Sequence, residues 1–145
     1  MTQPIIVDIY CRVATASPES DGRLAEQELA CRLYCREHGL TVANVYRDMA
    51  SGAQYHRRPG LTSLRARYRH GITNGEVIPR VDRLTRRQAH FIMLSEEMQR
   101  YGITLYTAAE KLEENLLYLL RGLTVAVMVE VEQERALDQP PTEPE

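Results

Sequence analysis

Short apolar runs alternate along this chain with segments of helical period, and that alternation limits the fold more than any other feature. "PIIVDIYC", from Pro4, is a β-branched run of strand length that ends at small residues after Arg12. "LAEQELACRLYCREH", about residues 24–38, repeats apolar positions at steps of three and four and stops at Gly39, which predicts a helix. "TVANVYRD" reads as a second strand, and "MASGAQYHRRPG" as a loop punctuated by Gly52 and Pro59. A further helix, "EVIPRV" as a strand, a helix from about Arg87 to Tyr101 closed by Gly102, and "ITLYTA" complete the pattern. Strands separated by helices predict an α/β fold whose mostly parallel sheet is covered on both faces. Pro79 interrupts the third of these strands and removes a ladder donor, which favours an edge position or a local break there.

At 145 residues and 43% hydrophobic content the chain can bury one sizeable core, so a single domain is expected. The net charge of −2 conceals segregation: residues 57–87 carry nine arginines against Glu76 and Asp82, whereas residues 88–145 carry eleven acids against four bases. Lys111 is the only lysine. Guanidinium groups grip phosphate oxygens as planar forks, so a polyanion partner suits the middle segment. Arg65, Arg67 and Arg69 either take part in that or solvate helix faces. Cys31 and Cys35, one helical turn apart, lack partners at metal-ligand spacing and read with Cys11 as reduced residues, the helical pair half-buried; no metal site is expected.

The stretch "NLLYLLRGLTVAVMVEVEQERALD" predicts a long helix over about 112–137 that is apolar around much of its girth. Arg121 interrupts it and leaves far less than the roughly 20 apolar residues a bilayer requires. Such a helix needs cover, and a subunit interface is the expected one. The end, residues 138–145, is acidic and proline-rich and reads as a disordered tail. No segment has the pattern of an export signal, which points to the cytoplasm.

In open α/β sheets, functional groups gather beyond the carboxyl ends of the strands, where Arg12, Asp82, Arg83 and Arg86 fall. In "VDRLTRR", Arg83 and Arg86 share a face if the chain coils there, and with Arg12 they would repel one another unless an anion sat between them. Alternatively, Asp82 only pairs with one arginine at a helix start.

Taken in order, "YCRVAT", "LAEQELACRLYCREHG", "YRDMASG" with "HRRPGL", "VDRLTR" and the closing helix resemble the catalytic domain of serine recombinases, the group of resolvases, invertases and large serine integrases. The similarity covers about residues 5–137, so the domain is taken as 1–137. It implies a resolvase-like fold with a long carboxyl-terminal helix for dimer and tetramer contacts. It also implies strand exchange on double-stranded DNA without cofactor: a serine attacks a backbone phosphate, forms a 5′-phosphoserine link and frees a 3′ hydroxyl. By the same resemblance Arg12, Arg58, Arg83 and Arg86 surround the phosphate, and Asp82 orients an arginine or moves a proton. Gln27 supports the site and Tyr10 stands beside it; each could instead be structural, Tyr10 as core and Gln27 as a solvated helix residue.

The family pattern "YxRVS" puts the nucleophile at position 14, where this chain has Ala14. A methyl group has no lone pair to attack phosphorus, so no cleavage is expected. Thr15 and Ser17 are hydroxyl residues nearby, but Thr15 matches a separate threonine of the motif and points the other way if strand geometry persists. Besides an inactivated recombinase domain, two alternatives stand: a non-enzymatic partner of an active recombinase, and an α/β domain whose arginines hold a phosphorylated small molecule. The family chain normally continues into a DNA-binding domain, so a fragment or a truncated protein is expected.

Overall fold

The computed structural model describes residues 3–50, 58–109 and 125–138. The elements in chain order are β1 (Ile5–Val13), α1 (Ser20–Glu37), β2 (Leu40–Met49), α2 (Pro59–Arg69), β3 (Gly75–Ile78), α3 (Val81–Leu84), α4 (Gln88–Arg100), β4 (Thr104–Thr107) and α5 (Val125–Leu137). The strands form one parallel sheet in the order β2-β1-β3-β4. Every residue of β1 from Val7 to Val13 is buried. A strand covered on both faces needs such an uninterrupted run rather than polar alternation.

The period of two divides the core. Val7, Ile9, Cys11 and Val13 face one side and pack with Leu24, Cys31 and Cys35 of α1. Tyr10 faces the other side, against Leu61, Leu64 and Tyr68 of α2 and Leu94 of α4. The cysteines are free and fully buried, more deeply than the half-burial expected of the helical pair. Gly39 and Gly102, the two expected helix terminators, take φ values of 68° and 70°. That left-handed backbone is easy only for glycine.

Two sequence expectations shift. Helix α1 starts at Ser20, four residues before Leu24, because Ser20 Oγ accepts from the Ser17 amide at 2.8 Å and donates to the Thr15 carbonyl at 2.9 Å. The serine, proline and glycine of that stretch resemble a loop in sequence. Of the two alternatives at Pro79 the edge position fails, since β3 lies between β1 and β4, whereas the break holds: the strand stops at Ile78 and the proline falls just past the ladder.

The arginines of α2 are taken up in ion pairs, buried for Arg65 and Arg67 and partly exposed for Arg69. Arg67 donates to Asp8 on β1 at 2.8 and 3.3 Å. Arg65 forks onto Glu97 of α4 at 2.9 and 2.8 Å and onto Asp138 at 3.1 and 2.9 Å. Arg69 reaches Glu97 at 3.2 Å, and the Tyr68 hydroxyl also donates to Glu97. These donors hold the Glu97 carboxyl below its ordinary pKa, although its burial pushes the other way. Asp138, the expected first residue of the tail, is therefore tied into the domain.

Only part of the expected long helix, α5, lies among the described residues; 112–124 and 139–145 lie outside them. Val131 is buried, while Met128, Val129 and Leu137 are exposed. Helix α5 also meets the α4 segment through polar contacts, with Arg87 3.0 Å and His90 3.0 Å from Glu134 and with Arg135 paired to Glu96. No described helix is long and apolar enough to cross a membrane.

Removing Glu97 leaves Arg65 buried with half its anionic partners. Glu97→Ala is expected to lower the unfolding free energy by about 3–5 kcal/mol in a urea titration, and a loss below about 1 kcal/mol would show that the network contributes little. Glu76 on β3 is the opposite case: it is fully buried, neither carboxyl oxygen has a hydrogen-bond partner, and burial drives its pKa well above 4.5. A raised folded pKa gives stability that is complete below pH 4.5 and is lost as pH rises toward the folded value. Glu76→Met should therefore stabilise the protein by about 1–3 kcal/mol near neutrality and by less in acid. Parallel stability curves for the two proteins from acid to neutral pH would contradict this.

Candidate functional site

Arg12 is the next-to-last residue of β1 and shares a face with Asp8 and Tyr10 by strand alternation. Its side chain is fully buried. Nε donates to the Arg83 carbonyl at 2.8 Å, Nη1 to the Ala50 carbonyl at 2.8 Å, and Nη2 to the Asp82 carbonyl at 2.5 Å. The guanidinium thus ties the ends of β1 and β2 to α3. Gln27 of α1 clamps the Arg12 backbone from the other side, accepting from its amide at 3.0 Å and donating to its carbonyl at 2.9 Å. Burial, the nearby Arg58 charge, and then Arg83 and Arg86 lower the Arg12 pKa to about 10.

A second buried network lies beneath it. The Tyr10 hydroxyl donates to Asp48 Oδ2 at 2.7 Å and accepts from Arg58 Nη1 at 3.1 Å. Asp48 also receives the amides of Gly60 at 2.8 Å and Leu61 at 2.9 Å, so a carboxylate at the end of β2 caps the start of α2. Gly60 leaves the room this needs, since a Cβ there would lie 2.9 Å from Asp48 Oδ1. Arg58, fully buried, directs Nη2 to the Leu84 carbonyl at 2.5 Å and Nη1 toward the Arg83 carbonyl at 3.4 Å. Burial lowers its pKa and raises that of Tyr10.

Above these networks, at the carboxyl edge of β1 and β3, is an open cleft of about 520 Å³. Val13 and Ala14 line it at the end of β1, Arg23, Glu26 and Gln27 line it from α1, and Arg80, Arg83 and Arg86 line it from the segment around α3. Arg83 lies 3.3 Å from Asp82 Oδ1, and Arg80 lies 3.9 Å from Asp82 Oδ2. Helix α3 ends at Leu84 and Thr85 is extended, so Arg83 and Arg86 do not share a helical face. They meet at the cleft through the bend after α3 instead. Strand geometry ends at Val13, so the alternation argument does not reach Thr15. Ala14, Thr15 and Ser17 are all exposed, and Ser17 Oγ lies 3.1 Å from Ser20 Oγ.

The structure thus brings Tyr10, Arg12, Ala14, Gln27, Arg58, Asp82, Arg83 and Arg86 into one region, and leaves Arg65, Arg67 and Arg69 out of it. Ala14, Gln27, Arg83 and Arg86 border the cleft with Asp82 beside them, while Arg12, Tyr10 and Arg58 lie buried below. Gln27 is a fixed bridge between α1 and β1 rather than a solvated residue. Sequence reasoning missed Asp48, whose only signal was a carboxylate at the end of the run "VYRD", and it missed Arg23 and Arg80 as cleft residues.

The family described as Resolvase, N terminal domain, matches residues 7–136. No curated protein sequence matches the chain. Among solved structures it is similar to the C-terminal catalytic domain of ISC1926 TnpA, an IS607-like serine recombinase, with 24% identity and a TM-score of 0.65 over 92% of this chain and 98% of that one. It is also similar to the N-terminal catalytic domain of TP901-1 integrase, with 22% identity and a TM-score of 0.66 over 92% and 99%. A resolvase family site-specific recombinase from Streptococcus pneumoniae matches with 17% identity and a TM-score of 0.64 over 91% and 90%. At these identities the likeness is one of fold.

Lysine carries the charge of arginine but not its fork, and it cannot serve the carbonyls of Ala50, Asp82 and Arg83 together. Arg12→Lys, measured without DNA, is therefore expected to lose about 2–4 kcal/mol of stability by urea denaturation. Unchanged stability would mean that the guanidinium does not hold this end of the sheet together.

Proposed function

This chain belongs to the resolvase N-terminal domain family, and from that premise we propose that it is a serine recombinase catalytic domain that grips a DNA backbone phosphate without cleaving it. The observation that carries the proposal is the cleft itself, which Ala14 lines together with Arg83 and Arg86. Phosphoryl transfer spreads charge over the non-bridging oxygens and is promoted mainly by preorganised cations and positioning. Arg83 and Arg86 supply the cations. Arg12 and Arg58 act from below, fixing the carbonyls of residues 82–84 so that the two cleft arginines are aimed before DNA arrives. Asp82 steadies Arg83.

In the family's reaction a serine oxygen attacks the phosphorus, a protein–phosphate bond forms and the 3′ oxygen leaves. Ala14 has a methyl group at that place, so this chain binds and stops. The exposed Met128, Val129 and Leu137 of α5 fit a second copy, or an active relative, that would cover them. Pairing with a serine-bearing subunit would make the domain a non-cleaving member of an assembly on DNA.

The test is Ala14→Ser in the full chain, incubated with a randomised duplex library and then denatured. The expected result is a covalent protein–DNA adduct joining the introduced hydroxyl oxygen to a 5′ phosphate, with none from the unsubstituted protein. If the substituted protein is folded and forms no adduct, the assignment of position 14 and its surrounding arginines fails.

A further inference from the structure

The stretch that presents Arg86 to the cleft is tied at both ends to one carboxylate of α5. Arg86 is exposed and lines the cleft, whereas Thr85 before it is buried. Thr85 Oγ1 accepts from the Arg87 amide at 3.2 Å, which closes a short loop around Arg86. At one end of that loop Thr85 Oγ1 lies 3.4 Å from His90 Nδ1, and His90 Nε2 lies 3.0 Å from Glu134 Oε2. At the other end Arg87 Nη1 donates to Glu134 Oε1 at 3.0 Å. We propose that Glu134 is a positioning residue, through which the seating of α5 sets where Arg86 stands in the cleft.

Thr85, His90 and Glu134 are all buried, so the contacts between them are made inside the protein. Burial lowers the His90 pKa from its ordinary 6.5, and the ring is neutral at pH 7. A carboxylate only accepts, so Nε2 carries the proton toward Glu134 and Nδ1 is left to accept from the Thr85 hydroxyl. Moving Glu134 would leave buried polar groups unpaired unless the loop moved with it. The preceding residues are held from another side: Arg12 takes the carbonyls of Asp82 and Arg83, and Arg58 takes that of Leu84. Arg83 therefore depends on β1, and Arg86 on α5. Met128 and Val129, the exposed apolar residues of α5 that a second copy would cover, lie on the same helix as Glu134. Assembly through α5 and the grip on a phosphate are thereby coupled. This inference rests on the DNA-phosphate function proposed above and adds the element that controls it.

The experiment is a double-mutant cycle, read as binding of a short mixed-sequence duplex by the whole protein at fixed salt. Arg86→Gln and Glu134→Ala are each expected to weaken binding. Together they are expected to cost no more than Arg86→Gln alone, a coupling of about fivefold or more. Joined with Arg83→Gln, Glu134→Ala should instead multiply the two losses. Thr85→Val nearly keeps the side chain's shape, removes the hydroxyl at the far end of the link and leaves α5 untouched. It should repeat the pattern with the oligomeric state of the wild type. Full additivity with Arg86→Gln, or wild-type binding by both Glu134→Ala and Thr85→Val, would overturn the positioning role and leave the phosphate site standing. Equal coupling to Arg83 and Arg86 would mark general damage to the fold and overturn it as well. If neither Arg83→Gln nor Arg86→Gln weakens binding, the phosphate site itself fails.

Discussion

One side chain organises the functional end of this molecule. The Arg12 guanidinium donates to three main-chain carbonyls, at Ala50, Asp82 and Arg83, which come from the end of β2 and from α3. Buried carbonyls must be paired, and a planar fork with donors in several directions is suited to pair three at once. Because Arg12 is anchored by Gln27 on its own backbone, α1, β1, β2 and α3 converge on a single residue. The cleft exists because that convergence leaves Ala14 just beyond it, between α1 and the arginines of the opposite segment.

A buried guanidinium is costly to desolvate, and the lowering of the Arg12 pKa to about 10 reflects this together with its cationic neighbours. Arg12 itself meets main-chain carbonyls rather than carboxylates. Asp48 serves Tyr10 and the start of α2, and Asp82 stands beside Arg80 and Arg83. By contrast, Asp8, Glu97 and Asp138 absorb Arg65, Arg67 and Arg69 away from the sheet's carboxyl edge. Two groups of arginines close in sequence thus have opposite duties, one holding helices to the sheet and the other facing the cleft.

The α/β alternation was legible because it depends on local periodicity. A helix announces itself through steps of three and four and a terminal glycine, and a buried strand through an unbroken β-branched run. The boundary shift at Ser20 arose where short-range hydrogen bonds decide the matter, with Ser20 Oγ bridging the Ser17 amide and the Thr15 carbonyl. Sequence also brought Arg12, Arg83 and Arg86 to one end of the sheet, since the ends of parallel strands share an edge. It could not distinguish a guanidinium that faces solvent from one that ties main-chain carbonyls together.

The sequence by itself determined the layered α/β plan, the likeness to serine recombinases and the methyl group at position 14, because periodicity, motif order and residue identity are properties of the chain. Only the tertiary structure decided which arginines are structural and which face the cleft. That depends on partners far away in the sequence, with Asp8 meeting Arg67, Glu97 meeting Arg65, and the carbonyls of Asp82 and Arg83 meeting Arg12. Burial and pairing fix the duty of a charged side chain, and neither exists until the chain has folded.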